Sequence, residues 1–173
     1  TIKYYNSLSI FDHKLNVINS YKKINLVPFG EFLPFEKTLN KIGLKTITNN
    51  YQSYSKGQKR NVIDLNYNKF SLKILPLICY EIIYSGKIFT ESDFDYIINI
   101  SEDGWFGKSI GPYQHFVKGI YRAIENDSFL IRSANKGISA IVNNKGQTLK
   151  KLNANEAGNI EFEVPLIKSR NKN

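Results

Sequence analysis

The spacing of apolar and polar residues changes several times along the chain, which is typical of a mixed α/β protein. A helix is predicted between Gly111 and Asp127. Its buried face would be formed by four apolar residues at helical spacing: Phe116, Ile120, Ala123 and Ile124. Strands are predicted at Tyr4–Phe11, Asn16–Tyr21, Asn61–Leu65, Phe70–Cys79, Asp95–Ser101, Phe129–Ala134, Ile138–Asn143 and Glu161–Val164. The pattern predicts an α/β sandwich and marks no second domain.

Glycine, proline, asparagine and aspartate mark the connections between these elements. The predicted turns and loops are Asp12–Lys14, Leu26–Pro34, Thr46–Arg60, Glu102–Gly107 and Asn144–Gly146. The polar segment Thr46–Arg60 is expected to be mobile, and Glu36–Leu44 predicts a short helix. Pro76 lies within a predicted strand and has no N–H to donate, so an edge or a bulge is expected there.

Composition narrows the possible functions. The chain has 173 residues, one Cys and no Met, and it begins at Thr1, so we expect an excised segment of a longer protein. Its net charge is +9, but 20 of the 24 basic residues are scattered lysines, which indicates biased composition rather than nucleic-acid binding. The longest apolar runs are far shorter than the roughly 20 residues that a bilayer requires.

Two side chains are candidates for chemistry. Cys79 follows an apolar strand and precedes Tyr80 and Glu81, a position that suits a nucleophile, although an inert core cysteine fits as well. Lys23 lies shortly before Glu31 and could stabilise an oxyanion. The alternative is that Lys23 is a solvated surface lysine and Glu31 a solvated turn residue.

Two aromatic side chains are also candidates. Trp105, between Gly104 and Gly107, could line a substrate pocket or cover the core from a loop. His115, at the border of the predicted helix face, is interpreted as a structural hydrogen-bonding residue. One cysteine and two distant histidines predict no metal site, and no cofactor is expected.

Seven ordered motifs resemble those of the carbon-nitrogen hydrolase (nitrilase) superfamily, and within it the periplasmic domain of the bacterial apolipoprotein N-acyltransferases. They are Tyr4–Ser7, Tyr21–Pro34, Ile78–Ile82, Ser101–Gly107, Gly111–His115, Arg122–Glu125 and Asn135–Ile138. The longest shared run lies in the second motif: Leu26-Val27-Pro28-Phe29-Gly30-Glu31-Phe32. The resemblance covers nearly the whole chain and implies a nitrilase-like α-β-β-α sandwich, of which residues 1–173 would form part.

The resemblance also implies a Glu-Lys-Cys triad, with Lys23 and Cys79 as two members and the glutamate upstream of Thr1. Four further positions match residues that support catalysis or line the acyl pocket: Glu31, Tyr80, Glu81 and Trp105. The implied reaction moves an acyl chain from a phospholipid donor, through a Cys79 thioester, to an apolipoprotein acceptor. The implied location is the inner membrane, reached through segments outside this chain, with the domain facing the periplasm and no nucleic-acid partner.

Two positions depart from the family pattern: Asn25 stands where the family often has His, and Glu102 where it usually has Asn. As an isolated chain, the segment is expected to be inactive. Two alternatives stay open, namely a soluble amidase that uses the same Cys79 and Lys23, and a basic nucleic-acid-binding module.

Overall fold

The computed structural model describes residues 2–35, 53–67, 70–86, 88, 90 and 92–163. The chain divides into two compact units, Thr1–Arg60 and Asn61–Asn173, a division that the apolar pattern does not mark. The predicted helix Glu36–Leu44 and the 46–52 part of the predicted loop lie outside the described residues.

The first unit begins with an antiparallel hairpin of β1 (Ser7–Phe11) and β2 (Val17–Lys22). The turn between the strands forms because the Asp12 carboxylate accepts hydrogen bonds from the backbone N–H groups of Lys14 and Asn16, both at 2.8 Å. The two predicted strands and their turn are therefore confirmed, with slightly shifted ends.

An irregular segment follows the hairpin, as the prolines and Gly30 predict. Its tight turn is closed by the backbone N–H groups of Gly30 and Glu31, which both donate to the carbonyl of Val27. Phe29 adopts a positive φ of 61° within this turn. Residues 53–60 run without helix or strand and contact this region through Gly57, whose N–H donates to the Lys23 carbonyl at 2.8 Å.

Within the described part of the second unit, six strands form one sheet in chain order. They are β3 (Ile63–Tyr67), β4 (Phe70–Ile78), β5 (Tyr96–Glu102), β6 (Phe129–Asn135), β7 (Ser139–Val142) and β8 (Thr148–Leu152). The pairs β4–β5 and β5–β6 are parallel, and the other three are antiparallel. Parallel central strands explain the continuous apolar runs that the sequence shows at β4 and β5.

Helix α1 (Gly111–Glu125) connects β5 to β6 and starts with Pro112 in its first turn. Phe116 and Ala123 are buried and Ile120 is partly buried against the sheet, as predicted. Ile124 is 46% exposed, so its assignment to the buried face is wrong. At about 100° per residue, it is rotated to the margin of the stripe formed by the other three.

The core of the second unit joins these elements. Side chains from β4, β5 and β6, including Leu75, Leu77, Ile97 and Leu130, pack against Phe116 and Ala123 of α1. Among the described residues, no helix is both long and apolar enough to cross a membrane.

The last predicted strand is misplaced. Residues 161–163 form no strand, and Val164 lies outside the described residues. The final strand of the described residues is β8, which follows the predicted turn at Asn144–Gly146 directly because the Asn143 side chain accepts from the N–H groups of Lys145 and Gln147. The sequence hides β8 because its exposed lysines are typical of an edge strand rather than of an apolar alternation.

Pro76 lies in a strand with a neighbour on each side, but the two neighbours do not overlap there. The β3 pairing ends at Ile74, while the β5 pairing runs from Ile74 to Ile78. Among the described residues, 75–78 therefore pair only with β5, which creates a local edge, the kind of position where a sheet tolerates proline. The expectation of an edge is met without a bulge.

We predict that Gly57→Ala destabilises the first unit by about 1–3 kcal/mol. A Cβ atom at Gly57 would collide with the backbone carbonyl of Lys22 and lie 3.1 Å from that of Lys23, and backbone cannot yield as a side chain can. The thermal unfolding temperature measures the effect. Gly30→Ala is the matched control because its Cβ would meet Val27 at an ordinary 3.5 Å, and equal losses in both variants would contradict the prediction.

Candidate active site

Lys23 follows β2 directly and is only 1% exposed. Its Nζ atom lies 2.8 Å from Oε1 of Glu31. The same carboxylate accepts from Nδ2 of Asn6 at 2.6 Å and from the N–H of Val27 at 2.8 Å. Three donors therefore fix Glu31, and Glu31 in turn fixes the buried ammonium group.

Burial distinguishes the two consecutive lysines at the end of β2. Lys22 is exposed and places its Nζ 4.2 Å from the ring centre of Tyr5. A buried charge is stable only when paired and hydrogen-bonded, as Lys23 is with Glu31. Neither Lys23 nor Glu31 is the solvated surface residue that the sequence left open.

Cys79 lies at a sharp bend where β4 ends and a 3-10 helix, Cys79–Ile83, begins. Its φ of 51° falls in the left-handed region, which costs a non-glycine residue about 1–3 kcal/mol and persists only when its surroundings enforce it. The fully buried Glu81 contributes by accepting the N–H of Ile78 at 2.9 Å. Cys79 itself is half-buried and unpaired, unlike an inert core cysteine.

Two aromatic side chains of the second unit stay accessible. Tyr80 is 37% exposed and packs edge-on against Tyr84, with ring centres 6.2 Å apart. Trp105 is 78% exposed in the short 3-10 helix Asp103–Phe106, so it does not cover the core. A role for Trp105 in lining a substrate pocket stays a prediction.

A buried polar cluster lies next to this bend in the second unit. Asp103 accepts from Nη2 of Arg132 at 2.7 Å and from Oγ of Ser101 at 2.7 Å, and it contacts Nδ1 of His115 at 2.9 Å. Arg132 also donates from Nε to the carbonyl of Ile138. His115 is buried within this cluster, in agreement with the structural hydrogen-bonding role predicted for it.

Charge explains the protonation of the cluster. Burial raises the pKa of Asp103, but the hydrogen bond from His115 and the charge of Arg132 outweigh burial, and the net pKa is lowered. An ionised Asp103 can only accept, so Nδ1 of His115 carries the hydrogen. Burial lowers the pKa of Arg132, and the charge and the hydrogen bond of Asp103 offset only part of this effect.

Gly137 allows this cluster to close, because a Cβ atom at position 137 would collide with the Asp103 carboxylate.

The two residues that depart from the family pattern, Glu102 and Asn25, also have hydrogen-bond partners. Glu102 accepts from the N–H of Gly104 at 2.8 Å and from Nδ2 of Asn135 at 2.6 Å. Asn25 accepts from Nη2 of Arg60 at 2.9 Å.

The sequence reasoning missed Asn99, Asp103 and Arg132. Asn99 and Arg132 each interrupt an apolar strand, and these interruptions were the available signal. They stand opposite each other in the β5–β6 register, where Nη1 of Arg132 donates to Oδ1 of Asn99. Asn99 in turn donates from Nδ2 to the carbonyl of Leu77 at 3.0 Å and to that of Cys79 at 3.5 Å.

The chain has a strand-end cysteine with a positive φ and a buried lysine–glutamate pair. It also matches the carbon-nitrogen hydrolase family model over residues 1–170. The chain belongs to the carbon-nitrogen hydrolase family. The resemblance drawn from the motifs is thus confirmed, and the α/β, nitrilase-like fold with it.

The curated relatives are more specific in name. The chain is 40% identical over 163 residues to the apolipoprotein N-acyltransferase of Rhizobium leguminosarum bv. trifolii, covering 94% of this chain and 30% of that protein. It is 43% identical over 162 residues to the apolipoprotein N-acyltransferase of Rickettsia typhi, covering 93% of this chain and 32% of that protein. The chain thus spans about a third of the length of these relatives.

Solved structures of an amidase from Nesterenkonia sp. share the fold, with a TM-score of 0.53 and 17% identity over 86% of this chain and 51% of theirs. One of them shows covalent addition of the acetamide moiety of fluoroacetamide at its active-site cysteine. At this identity the likeness concerns the fold alone.

We predict that Asp103→Asn lowers stability most strongly at neutral pH, by about 3–5 kcal/mol, because it leaves buried Arg132 unpaired. The lowered pKa of Asp103 means that its ionised form stabilises the fold above about pH 4 and loses this effect as pH falls further. The gap in melting temperature between wild type and variant should therefore narrow in acid. Asp95→Asn, at the other end of β5, is the control, and a gap that does not change with pH would contradict the prediction.

Proposed function

We propose that this chain forms part of an apolipoprotein N-acyltransferase, which moves an acyl chain from a phospholipid to the α-amino group of the N-terminal diacylglyceryl-cysteine of apolipoproteins. The observation that supports this most is the 36–43% identity, over more than nine-tenths of the chain, to curated proteins of that name. The site agrees with it, since acyl transfer through a thioester requires an accessible thiol such as Cys79.

In the proposed first half-reaction, a carboxylate base takes the proton of the Cys79 thiol. The resemblance assigns this base to a glutamate outside the present sequence. The thiolate attacks the ester carbonyl carbon of the phospholipid, and the tetrahedral intermediate expels the lysophospholipid oxygen, which takes the proton back. In the second half-reaction, the α-amino group attacks the thioester carbon and gives up a proton to the same carboxylate base. The tetrahedral intermediate then expels the Cys79 thiolate, which takes that proton back, and an amide forms.

The tetrahedral oxyanion of each half-reaction requires stabilising donors, each worth about 3 kcal/mol. From the resemblance, we infer that Lys23 is one donor, and its 2.8 Å contact with Glu31 would orient the Nζ group. A second is the N–H of Tyr80, which lies in the first turn of its 3-10 helix and has no partner within that helix.

The proposed location is the bacterial inner membrane, with the domain facing the periplasm. The exposed apolar side chains of Phe29 and Phe35, which are 71% and 81% accessible, support contact of this loop with lipid. We also propose that residues 33–35 form a lid that admits lipid. Leu33 is buried, so the lipid-facing side chain of this lid would be Phe35.

We predict that the protein expressed from its complete gene, incubated with phospholipid vesicles carrying a labelled acyl chain, acquires the label on Cys79. The label should be released by neutral hydroxylamine, which cleaves thioesters, and should be absent in Cys79→Ala. Label that persists in Cys79→Ala would refute the nucleophile. Hydrolysis of small amides without acylation by phospholipid would favour the amidase alternative.

We predict that Lys23→Ala reduces acyl transfer by at least about a hundredfold, because it removes a buried charge from the proposed oxyanion site. Lys22→Ala is a matched control, since it changes the neighbouring but exposed lysine and should leave turnover within about twofold of wild type. Steady-state transfer rates and melting temperatures measure both variants. An active Lys23→Ala protein would mean that another group binds the oxyanion.

A further inference from the structure

We propose that Asn99 and Arg132 are positioning residues for the nucleophile. They hold the peptide between Cys79 and Tyr80 so that its N–H points away from the sheet, towards the acyl oxygen. The identity of the acyl donor rests on the proposed function, but the geometry of the peptide does not. Neither residue belongs to the triad or to the further site residues that the resemblance implies.

One row of paired residues crosses the sheet from β4 to β7. Leu77 of β4 is paired with Asn99 of β5, Asn99 with Arg132 of β6, and Arg132 with Ala140 of β7. All four are buried. Two polar side chains are thus placed in the core, where each must find partners within the protein.

The orientation of the Asn99 amide follows from its neighbours. Arg132 can only donate, so the group facing it must be the Asn99 oxygen. The carbonyls of Leu77 and Cys79 can only accept, so the group facing them must be the Asn99 NH₂. Arg132 therefore prevents the amide from turning over, and Asp103 keeps Arg132 in place through its 2.7 Å bond.

The consequence reaches the peptide after the nucleophile. The Cys79–Tyr80 peptide is trans, so its C=O and N–H point in opposite directions. With the carbonyl held towards buried Asn99, the Tyr80 N–H is directed away from the sheet. The positive φ of Cys79 is a strained conformation, and the bond from Asn99 is one of the contacts that would maintain it.

The charged and titratable groups around the bend support an effect of position rather than of ionisation. Glu81 is engaged with the N–H of Ile78, and Asp103 with Arg132, Ser101 and His115. The Tyr80 ring centre lies 6.3 Å from that of His115. Asn99 itself is uncharged, so its replacement by alanine removes its hydrogen bonds to the Cys79 carbonyl and to Arg132 without removing a charge.

The test uses the protein expressed from its complete gene and two reagents that react with Cys79. Acylation by p-nitrophenyl butyrate passes through an oxyanion, whereas alkylation by iodoacetamide does not. We expect Asn99→Ala to slow the maximal rate of acylation by about 10- to 100-fold, since a misplacement near 1 Å has effects of this size. KM and the alkylation rate should stay within about twofold of wild type.

A double-mutant cycle tests whether Arg132 acts through Asn99. Arg132→Lys keeps the cation but not the planar fork of donors, so it should slow acylation in the wild-type background. In the Asn99→Ala background it should have little further effect, because the contact that it disturbs is already gone. Additive losses would show that Arg132 acts independently and would overturn that part of the proposal.

Ser128→Ala is the matched control. Ser128 is also fully buried in this unit, but its hydroxyl bonds to the carbonyls of Phe94 and Asn126 near the start of β6. The Ser128→Ala protein should be acylated at the same rate as wild type. If it slows as much as Asn99→Ala at a similar loss of melting temperature, the effect is general destabilisation and the proposal fails.

A second variant covers the case in which Asn99→Ala does not fold. Asn99→Asp keeps the shape and the oxygen that faces Arg132 but has no donor for the Cys79 carbonyl, so it should fold and acylate slowly. Acylation of either variant at the wild-type rate would overturn the proposal. Acylation of wild type by the ester but not by phospholipid would instead refute the proposed function and leave the positioning role standing.

Discussion

The ion pair between Asp103 and Arg132 is the interaction on which the second unit's site depends. Both groups are buried, and a buried charge is tolerated only when its partner and its remaining hydrogen bonds are in place. Asp103 also anchors His115, and Gly137 leaves room for the carboxylate. Arg132 then extends the network to Asn99, and Asn99 reaches the backbone at Cys79. One buried pair thus connects α1, β5 and β6 to the bend that carries the candidate nucleophile Cys79.

In the first unit, too, an ion pair holds a buried charged side chain. Lys23 is buried against Glu31, and the Glu31 carboxylate is oriented by Asn6 and by the backbone N–H of Val27. The turn at Val27–Gly30, which the proline and glycine residues favour, brings Glu31 back towards the end of β2. In the first unit, the carboxylate contacts Lys23 directly. In the second unit, Asp103 acts on Cys79 only through Arg132 and Asn99. Both arrangements supply the supporting contacts that a preorganised site requires.

Much of this arrangement could be predicted from local pattern. Most strands, the helix and the turns at Asp12–Lys14 and Asn144–Gly146 follow from apolar periodicity and from turn residues, which act over a few positions. The failures have particular causes. Strand β8 has the exposed lysines of an edge and lacks a strand's apolar alternation, and Ile124 lies at the margin of the helical stripe. The edge expected at Pro76, by contrast, is present because the β3 pairing stops at Ile74. Where that pairing stops depends on strand lengths that no local signal gives.

The sequence by itself determined the family, the candidate nucleophile Cys79 and the Lys23–Glu31 motif, because ordered runs of residues carry these. Only the tertiary structure distinguished buried Lys23 from exposed Lys22, gave Cys79 its positive φ, and placed Asn99 opposite Arg132. The reason is that Asn99 and Arg132 are separated by the whole of α1. Their pairing depends on the register of two parallel strands, which is set by the packing of that crossover on the sheet and not by neighbouring residues.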